Sequence, residues 1–256
     1  MQSIVTETTS QFMMLGVSHS GSVHGYNTNG LLQAKAGNLL IDCGYTIKAA
    51  LHSQQLSFDD ISAVFITHVH GDHVFGLERL AFESRFLLNK RISLYLEPKL
   101  YRELWDQTLR GSLGIVNGEP QSLEDFFDVI LIEDNAFEFG GHQINTVEVD
   151  HARGKPAYGC VIDNYLFYSG DTRPIPHILE NLEFEVGFHD ATIIESSPVH
   201  ANTHTLINSY SPELCKKLYL MSYEDEVEDR AFAYSESFKG LAKVGERFEL
   251  TALVTP

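Results

Sequence analysis

Short apolar runs alternate with segments of helical spacing along most of this chain. Apolar runs bounded by glycine or polar residues predict strands at 11–17, 31–34, 38–41, 61–66, 92–96, 158–162, 165–168, 190–197, 218–221 and 245–250. Two more strands are expected within 137–149, on either side of Gly140-Gly141. Helical spacing is expected at 45–55, 74–88, 98–109 and 211–217. Strands interspersed with helices predict an α/β fold whose sheets are covered by helices.

The most informative polar cluster directly follows the apolar run 61–66. It reads Thr-His-Val-His-Gly-Asp-His over residues 67–73, and its ligand-type side chains are His68, His70, Asp72 and His73. Imidazole and carboxylate are the ligands that zinc and its divalent neighbours prefer. A tight turn at Gly71 lets these side chains point into one small volume. The sequence therefore predicts a metal site at the C-terminal end of a strand, where α/β sheets place their chemistry.

Two further polar residues stand at strand ends or turns. Asp42 ends the buried run 38–41, where an unpaired carboxylate is costly, so we expect it to be hydrogen-bonded or near a cation. The simpler alternative is a turn residue at a strand end. His142 follows the predicted turn at Gly140-Gly141, and we expect its ring to be exposed.

His-x-His-x-Asp-His after an apolar strand resembles the metal motif of the metallo-β-lactamase superfamily. The resemblance implies an αββα sandwich, here a single domain over residues 1–256, with a two-metal site at one edge. Within it, Asp42 supports the metal loop. The phrase Ser-Gly-Asp-Thr-Arg around Asp171 resembles the branch that contains RNase Z and the small phosphodiesterases, in which this carboxylate bridges two ions.

The branch also implies which residues hold two divalent ions, zinc foremost, with Mn²⁺ suited to the second site. His68, His70, His151 and Asp171 hold the first ion, and Asp72, His73 and Asp171 hold the second. A hydroxide shared by the ions then attacks phosphorus.

A proton relay is implied by the same resemblance. We expect a strand over 190–197 that ends in an acid, Glu195, followed by His204 in a polar loop. Glu195 would orient His204, which protonates the leaving oxygen, and Asp72 joins them in the catalytic set. His189 and His200 flank these elements and are interpreted as structural or substrate-facing.

The chain departs from the branch after the strand 218–221. The branch has a metal-binding histidine there, whereas this chain has Ser222, and no histidine follows His204. The second ion then keeps three protein ligands, which is enough for many catalytic zinc sites. Glu224 or Asp225 is a candidate substitute ligand.

Charge and spacing bear on the substrate. The formal net charge is −17, from 35 acidic and 18 basic residues, so a long nucleic acid is a poor partner. His151 and Asp171 are only 20 residues apart, which leaves no room there for the tRNA-grasping arm that many RNase Z enzymes carry. The chain is therefore most similar to compact cyclic-phosphate and cyclic-nucleotide phosphodiesterases, including the phage anti-Pycsar enzymes. This implies hydrolysis of a cyclic nucleotide monophosphate.

Other functions stay open at this point. A tRNA 3′-end endonuclease is one, and a lactonase or thioesterase of the same fold is another, although Glu195 and His204 would then have no task. A catalytically impaired nucleotide-binding homologue is a third, suggested by Ser222.

The setting and assembly are predicted from weaker signals. Three widely spaced cysteines, Cys43, Cys160 and Cys215, and no apolar span or secretory signal favour a cytoplasmic protein without a membrane. A homodimer is expected because the helical stretch 74–110 carries four large aromatic side chains, and an exposed apolar face would bind a second copy. These are Phe82, Phe86, Tyr101 and Trp105.

Overall fold

The computed structural model describes residues 9–225 and 236–250. The start of the chain, used above to argue against a secretory signal, lies outside these residues. Two seven-stranded sheets make up the framework. The first sheet has the spatial order β16 (Arg247–Leu250), β1 (Ser10–Gly16), β2 (Asn29–Ala34), β3 (Gly37–Ile41), β4 (Ile61–Phe65), β5 (Ile92–Leu96), β8 (Phe127–Leu131). The second has the order β15 (Gly240–Leu241), β14 (Leu218–Met221), β13 (Val186–Asp190), β12 (Leu166–Tyr168), β11 (Tyr158–Ile162), β10 (His142–Glu148), β9 (Ala136–Phe139).

The sheets pack face to face through aromatic side chains. Phe12 of β1 lies with its ring centroid 5.5 Å from that of Phe188 in β13 and 6.2 Å from that of Tyr168 in β12. All three side chains are fully buried. Large aromatic rings remove much apolar surface from water, so these contacts hold the two sheets together.

Helices cover the outer faces of both sheets. The helices are α1 (Ile47–Ser53), α2 (Gly71–Val74), α3 (Leu77–Phe82), α4 (Pro98–Leu104), α5 (Arg110–Leu113), α6 (Pro176–Leu179), α7 (Thr203–Ser209) and α8 (Pro212–Cys215). Single π-helical turns continue α3 to Leu87 and α4 to Leu109, and a small hairpin pairs β6 (Ile115–Val116) with β7 (Glu119–Pro120). The arrangement is the expected αββα sandwich. No helix in the described residues is long and apolar enough to cross a membrane.

Parallel pairing brings the functional strand ends to common edges. β3 pairs in parallel with β4, and β12, β13 and β14 are parallel neighbours in the second sheet. Parallel strands end on the same side of a sheet, so the residues that follow them are close in space. Asp42, His68, Asp171 and Ser222 follow four of these strands.

Two sequence-based predictions were wrong in this region. β13 ends at Asp190, whereas a strand was expected over 190–197; both neighbouring strands pair with 186–190, which fixes the strand earlier in the chain. His142 was expected to be exposed but is fully buried. It begins β10, whose alternation turns His142 to the buried face, and its Nδ1 lies 2.5 Å from Oδ2 of Asp163.

His189 is a structural residue with a consequence for acid stability. Its ring is fully buried, donates from Nδ1 to the carbonyl of Asp190 at 2.7 Å and accepts at Nε2 from the hydroxyl of Tyr210 at 2.8 Å. Burial lowers the pKa of His189 to about 4. The unfolded chain therefore takes up this proton below pH ~6.5 while the folded chain does not, so stability falls as pH drops from ~6.5 to about 4.

We expect His189→Gln to reduce this acid sensitivity. The wild type should lose roughly 2–3 kcal/mol of unfolding free energy through this residue between pH 7 and pH 4.5, at about 1.4 kcal/mol per pKa unit, and the variant should not. Urea unfolding at the two pH values measures the difference for each protein. Equal losses in both proteins would contradict the assignment.

Candidate metal centre

Three histidines and one carboxylate surround a space that fits one metal ion. Nε2 of His68 lies 3.1 Å from Nδ1 of His70, which lies 3.1 Å from Nε2 of His151. Oδ2 of Asp171 is 3.8 Å from Nε2 of His68 and 3.9 Å from Nε2 of His151. Four ligands around a tetrahedral zinc, each ~2.1 Å from the ion, are ~3.4 Å from one another. The three imidazoles form one donor cluster, and Asp171 approaches two of them at similar distances, so this group suits a divalent ion.

Hydrogen bonds on the far side of two rings turn the correct nitrogen toward this space. Nδ1 of His151 donates to the carbonyl of Val199 at 2.9 Å. Nδ1 of His68 lies 3.1 Å from the hydroxyl of Thr67, whose own proton goes to Oδ2 of Asp42 at 2.7 Å, so the ring donates to Thr67. In both rings the proton is on Nδ1, which leaves the Nε2 lone pair for a metal.

A second group of donors shares the same carboxylate oxygen. Nε2 of His73 lies 3.3 Å from Oδ2 of Asp171 and 3.4 Å from Oδ2 of Asp72. Nδ1 of His73 is held by Oδ2 of Asp42 at 2.7 Å, so its Nε2 is also free for a metal. Oδ2 of Asp171 thus lies close to His73 as well as to His68 and His151, as a bridging ligand would. The first turn of α2 carries Asp72 and His73.

Asp42 supports both parts of the metal loop. It is fully buried and accepts from the backbone N–H of Thr67 at 2.8 Å as well as from the Thr67 hydroxyl and the His73 ring. The expectation that this carboxylate is hydrogen-bonded is confirmed, and turn formation alone does not explain it.

A buried acid and a partly buried histidine form a pair beside the first donor group. Nδ1 of His200 is 2.8 Å from Oδ2 of Asp190, and the His200 ring centroid is 5.2 Å from that of His151. Asp190 also accepts from the backbone N–H of Thr172 at 2.8 Å. With Nδ1 bound to the carboxylate, Nε2 is the nitrogen left to His200 for chemistry.

Comparison with known proteins decides the family. Residues 10–248 match the family described as anti-Pycsar protein Apyc1. The chain belongs to the Apyc1 family. A relative named anti-Pycsar protein Apyc1, from Paenibacillus sp. (strain J14), is 36% identical over 224 residues, which is 85% of this chain and 91% of the relative.

Solved structures show that this Apyc1 family chain has the metallo-β-lactamase fold. The metallo-beta-lactamase fold protein YhfI from Bacillus subtilis matches with a TM-score of 0.71 at 16% identity, over 94% of this chain and 100% of that one. A diphosphatase from the PhnP family matches with a TM-score of 0.72 at 18% identity, over 94% and 98%. At these identities the likeness concerns the fold, and the sandwich predicted from the sequence is confirmed.

Burial and neighbouring charge give the centre a definite protonation state. Burial holds the pKa of His68, His70 and His151 below the usual histidine value, so these rings are neutral and able to bind metal at neutral pH. Burial opposes ionisation of Asp171, but the charge and hydrogen bond of His73, together with the nearby His68 and His200 rings, hold the pKa of the carboxyl well below its usual range. Burial likewise opposes a charge on His73, and the surrounding carboxylates raise its pKa. A bound cation would replace this proton on His73.

Unlike the rings of the first donor group, the imidazole of His200 is protonated at neutral pH. Burial lowers the pKa of His200, but its hydrogen bond and proximity to Asp190 raise that pKa to about 9. Burial raises the pKa of Asp190 to about 7. The imidazole therefore carries a proton at neutral pH and loses it as pH rises through about 9, which suits a proton donor.

Ser222 occupies the strand end where the related branch has a metal-binding histidine. Its hydroxyl lies 2.9 Å from that of Thr28 and 3.4 Å from Oδ1 of Asp171, and its backbone is left-handed with a φ of 61°. Thr28 in turn donates to the carbonyl of Ser18 at 3.2 Å. At this strand end the chain thus has a buried hydroxyl pair that contacts Asp171, the carboxylate close to both donor groups.

The suggestion that Glu224 or Asp225 replaces the missing histidine was wrong. Glu224 accepts from the hydroxyl of Thr192 and from the backbone N–H of Ile193 at 3.0 Å. Asp225 accepts from the backbone N–H groups of Val23 and His24 at 2.7 and 3.0 Å. Both carboxylates hold loops, and neither belongs to a donor cluster among the described residues.

The two remaining predicted residues lie apart from the donor clusters. Glu195 and His204 have exposed side chains, and in residues 9–225 and 236–250 neither side chain forms a hydrogen bond or ion pair. His204 is in the first turn of α7, whose N-cap is Asn202. The structure places Asp190 and His200 beside the first donor group, and the sequence did not predict a pair of these two residues. The usable signal was the apolar run 186–188 before His-Asp-Ala-Thr, which ends a strand at Asp190.

Proposed function

We propose that this Apyc1 family chain is a metal-dependent hydrolase of a small phosphodiester, with a cyclic nucleotide monophosphate as substrate. The observation that carries the proposal is two donor groups that share Oδ2 of Asp171, next to the Asp190–His200 pair. Paired divalent ions suit in-line displacement at phosphorus, and a protonated imidazole beside them suits an alkoxide leaving group. Membership of a family named for anti-Pycsar activity supports the same substrate.

The metals and the protein have separate tasks in this mechanism. Bound ions would lower the pKa of the attacking water and neutralise charge on the phosphoryl oxygens. His68, His70, His151 and Asp171 would hold the first ion, and Asp72, His73 and Asp171 the second. His200 donates its Nε2 proton to the leaving oxygen, and Asp190 fixes the ring and stabilises its charge before transfer. This assigns to Asp190 and His200 the relay that was predicted for Glu195 and His204.

We expect the purified protein to bind divalent metal most tightly at the first donor group. Three neutral imidazoles and one carboxylate favour zinc, whereas a site of one imidazole and two carboxylates suits a harder ion such as Mn²⁺. Elemental analysis after metal supplementation should find metal, and His70→Ala should lose the tighter ion while retaining the fold by circular dichroism. Metal-free wild-type protein after supplementation would contradict the assignment.

A substrate screen tests the function itself. Wild-type protein with Zn²⁺ or Mn²⁺ should hydrolyse 3′,5′-cyclic nucleotide monophosphates and leave lactones, thioesters and precursor tRNA unchanged. The charge of −17 disfavours tRNA. A thioester would expel a weakly basic thiolate, which needs no proton from the Asp190–His200 pair. Turnover of lactones or tRNA alone would overturn the proposal.

A nucleotide-binding protein without catalysis is the second candidate, because Ser222 removes one expected ligand. It predicts one bound ion per chain and nucleotide binding without turnover. Metal stoichiometry, measured together with the substrate screen, separates the two functions.

A homodimer remains the expected assembly. Trp105 is buried, but Phe75, Phe86 and Leu87, which lie in or beside the predicted stretch, are 59%, 50% and 71% exposed. A second copy would cover such side chains and exclude water from them. Light scattering at micromolar concentration should give twice the chain mass, and a monomer mass would contradict this prediction.

A further inference from the structure

A polar loop over residues 18–25 is fixed beside the metal centre without burying apolar side chains. Val23 is 84% exposed. The loop is held by hydrogen bonds from the residues after β14: the carbonyl of Tyr223 accepts from the backbone N–H of His19 at 3.0 Å, and Asp225 accepts from Val23 and His24. Tyr223 and Asp225, which follow Ser222 at the end of β14, thus hold this loop in position.

The loop carries His19 to the rim of the centre. The His19 ring centroid lies 5.6 Å from that of His200, which lies 5.2 Å from that of His151. Exposure increases outward along this row, from 3% for His151 to 15% for the His200 side chain and to the half-buried His19. A substrate whose phosphate lies at the metal ligands would extend past His200 toward His19.

A hydrogen bond within the loop orients the His19 ring. Nδ1 of His19 accepts from the backbone N–H of Gly21 at 3.0 Å, so the proton of the neutral ring is on Nε2. No protein acceptor for that Nε2 proton is found among the described residues. His19 therefore offers a hydrogen-bond donor next to the proton donor of the proposed reaction.

The chemistry of the substrate identifies the partner of this donor. When water attacks phosphorus and the P–O3′ bond breaks, hydroxide adds to phosphorus, O3′ takes a proton from His200 and the product is a nucleoside 5′-monophosphate. The 2′-hydroxyl is the ribose group adjacent to O3′. When O3′ lies at His200, the adjacent 2′-hydroxyl would therefore lie near His19, the ring next to His200.

We propose that His19 is a substrate-binding residue that donates from Nε2 to the ribose 2′-hydroxyl, and that Asp225 is the positioning residue that holds its loop. The proposal rests on the proposed cyclic nucleotide hydrolysis. It makes the site selective for ribose over 2′-deoxyribose, because one neutral hydrogen bond in a partly buried site changes affinity by roughly 2–10-fold.

The decisive experiment compares each 3′,5′-cyclic nucleotide with its 2′-deoxy analogue in wild type and His19→Ala, both loaded with metal. Removing the 2′-hydroxyl should lower the kcat/KM of the wild type by roughly 2–10-fold, mainly through KM, and should have little effect on the variant. His24→Ala, a histidine variant in the same loop, should keep the wild-type discrimination. The same discrimination in wild type and His19→Ala, or a 3′-monophosphate product, would overturn the proposal.

The role of Asp225 is tested by the same comparison of kcat/KM between cyclic nucleotides and their 2′-deoxy analogues. Asp225→Ala should raise KM and remove the discrimination as His19→Ala does, the double variant should add little, and Asp225→Asn, which keeps one acceptor oxygen, should be intermediate. Metal content and kcat should change little in all three. Unchanged KM in Asp225→Ala would remove its positioning role.

The wild type separates this inference from the proposed function. If the wild type hydrolyses no cyclic nucleotide, both the proposed function and this inference fail. If the wild type hydrolyses cyclic nucleotides but does not distinguish ribose from 2′-deoxyribose, only the inference fails.

Discussion

His200→Ala is expected to lower kcat for a cyclic nucleotide by ~10²–10⁴-fold at every metal concentration. The Nδ1 of this ring is bound to Asp190 at 2.8 Å, and the ring lies 5.2 Å from that of His151, a proposed metal ligand. Its pKa is raised to about 9, so it holds a proton at neutral pH. Removing it leaves the leaving alkoxide without a proton source, and added metal does not supply one.

The controls for this prediction are the residues that the sequence alone favoured. His204→Ala and Glu195→Gln should retain wild-type kcat within about twofold, because surface side chains without partners contribute little. Asp190→Asn should lower kcat, since the amide removes the negative charge that stabilises protonated His200. Elemental analysis of each variant checks that both ions remain. Loss of an ion from His200→Ala would make His200 a ligand, and full activity would remove it from the mechanism.

Ser222→His is expected to tighten the second metal site by roughly 10–100-fold. An imidazole there would give the group of Asp72, His73 and Asp171 a fourth protein ligand. Histidine tolerates the positive φ of this position better than most residues. Turnover at limiting metal should rise on the same scale, and the gain should fade as Mn²⁺ or Zn²⁺ approaches saturation.

Ser222→Ala is the matched control for this variant. It removes the hydrogen bond to Thr28, at a cost of about 1 kcal/mol of stability, without adding a ligand, so its metal affinity should not increase. Competition with a fluorescent chelator measures both affinities. If the wild type is fully active with two bound ions and Ser222→His changes nothing, another group completes the second site. If both proteins bind nucleotide but hydrolyse no phosphodiester, the non-catalytic candidate is preferred.

Local patterns of apolar and polar residues were sufficient to predict most of the strands and helices. Strands such as β5 and β11 were predicted at their observed bounds, because an apolar run between turn residues has few other stable conformations. The helix predicted over 74–88 begins earlier, at Gly71, with a separate turn before α3. This difference places Asp72 and His73 on a helical turn instead of an irregular loop.

The sequence by itself determined the candidate metal ligands that lie close together in the chain or in a specific phrase. His68, His70, Asp72 and His73 are within six residues, so their convergence requires only a tight turn. His151 and Asp171 were added by resemblance, and the observed distances bring both to the cluster.

Only the tertiary structure decided the residues whose role depends on which strand ends where. β12 and β14 fix the register of β13, so the acid at its end is Asp190 and not Glu195. Glu224 and Asp225 hold loops in the folded chain, because the backbone N–H groups of those loops need hydrogen-bond acceptors. Such partners are distant in sequence, and no local pattern encodes them. The chain thus specifies its strands and its histidine cluster locally, while strand pairing selects the acid–histidine pair beside the metal centre.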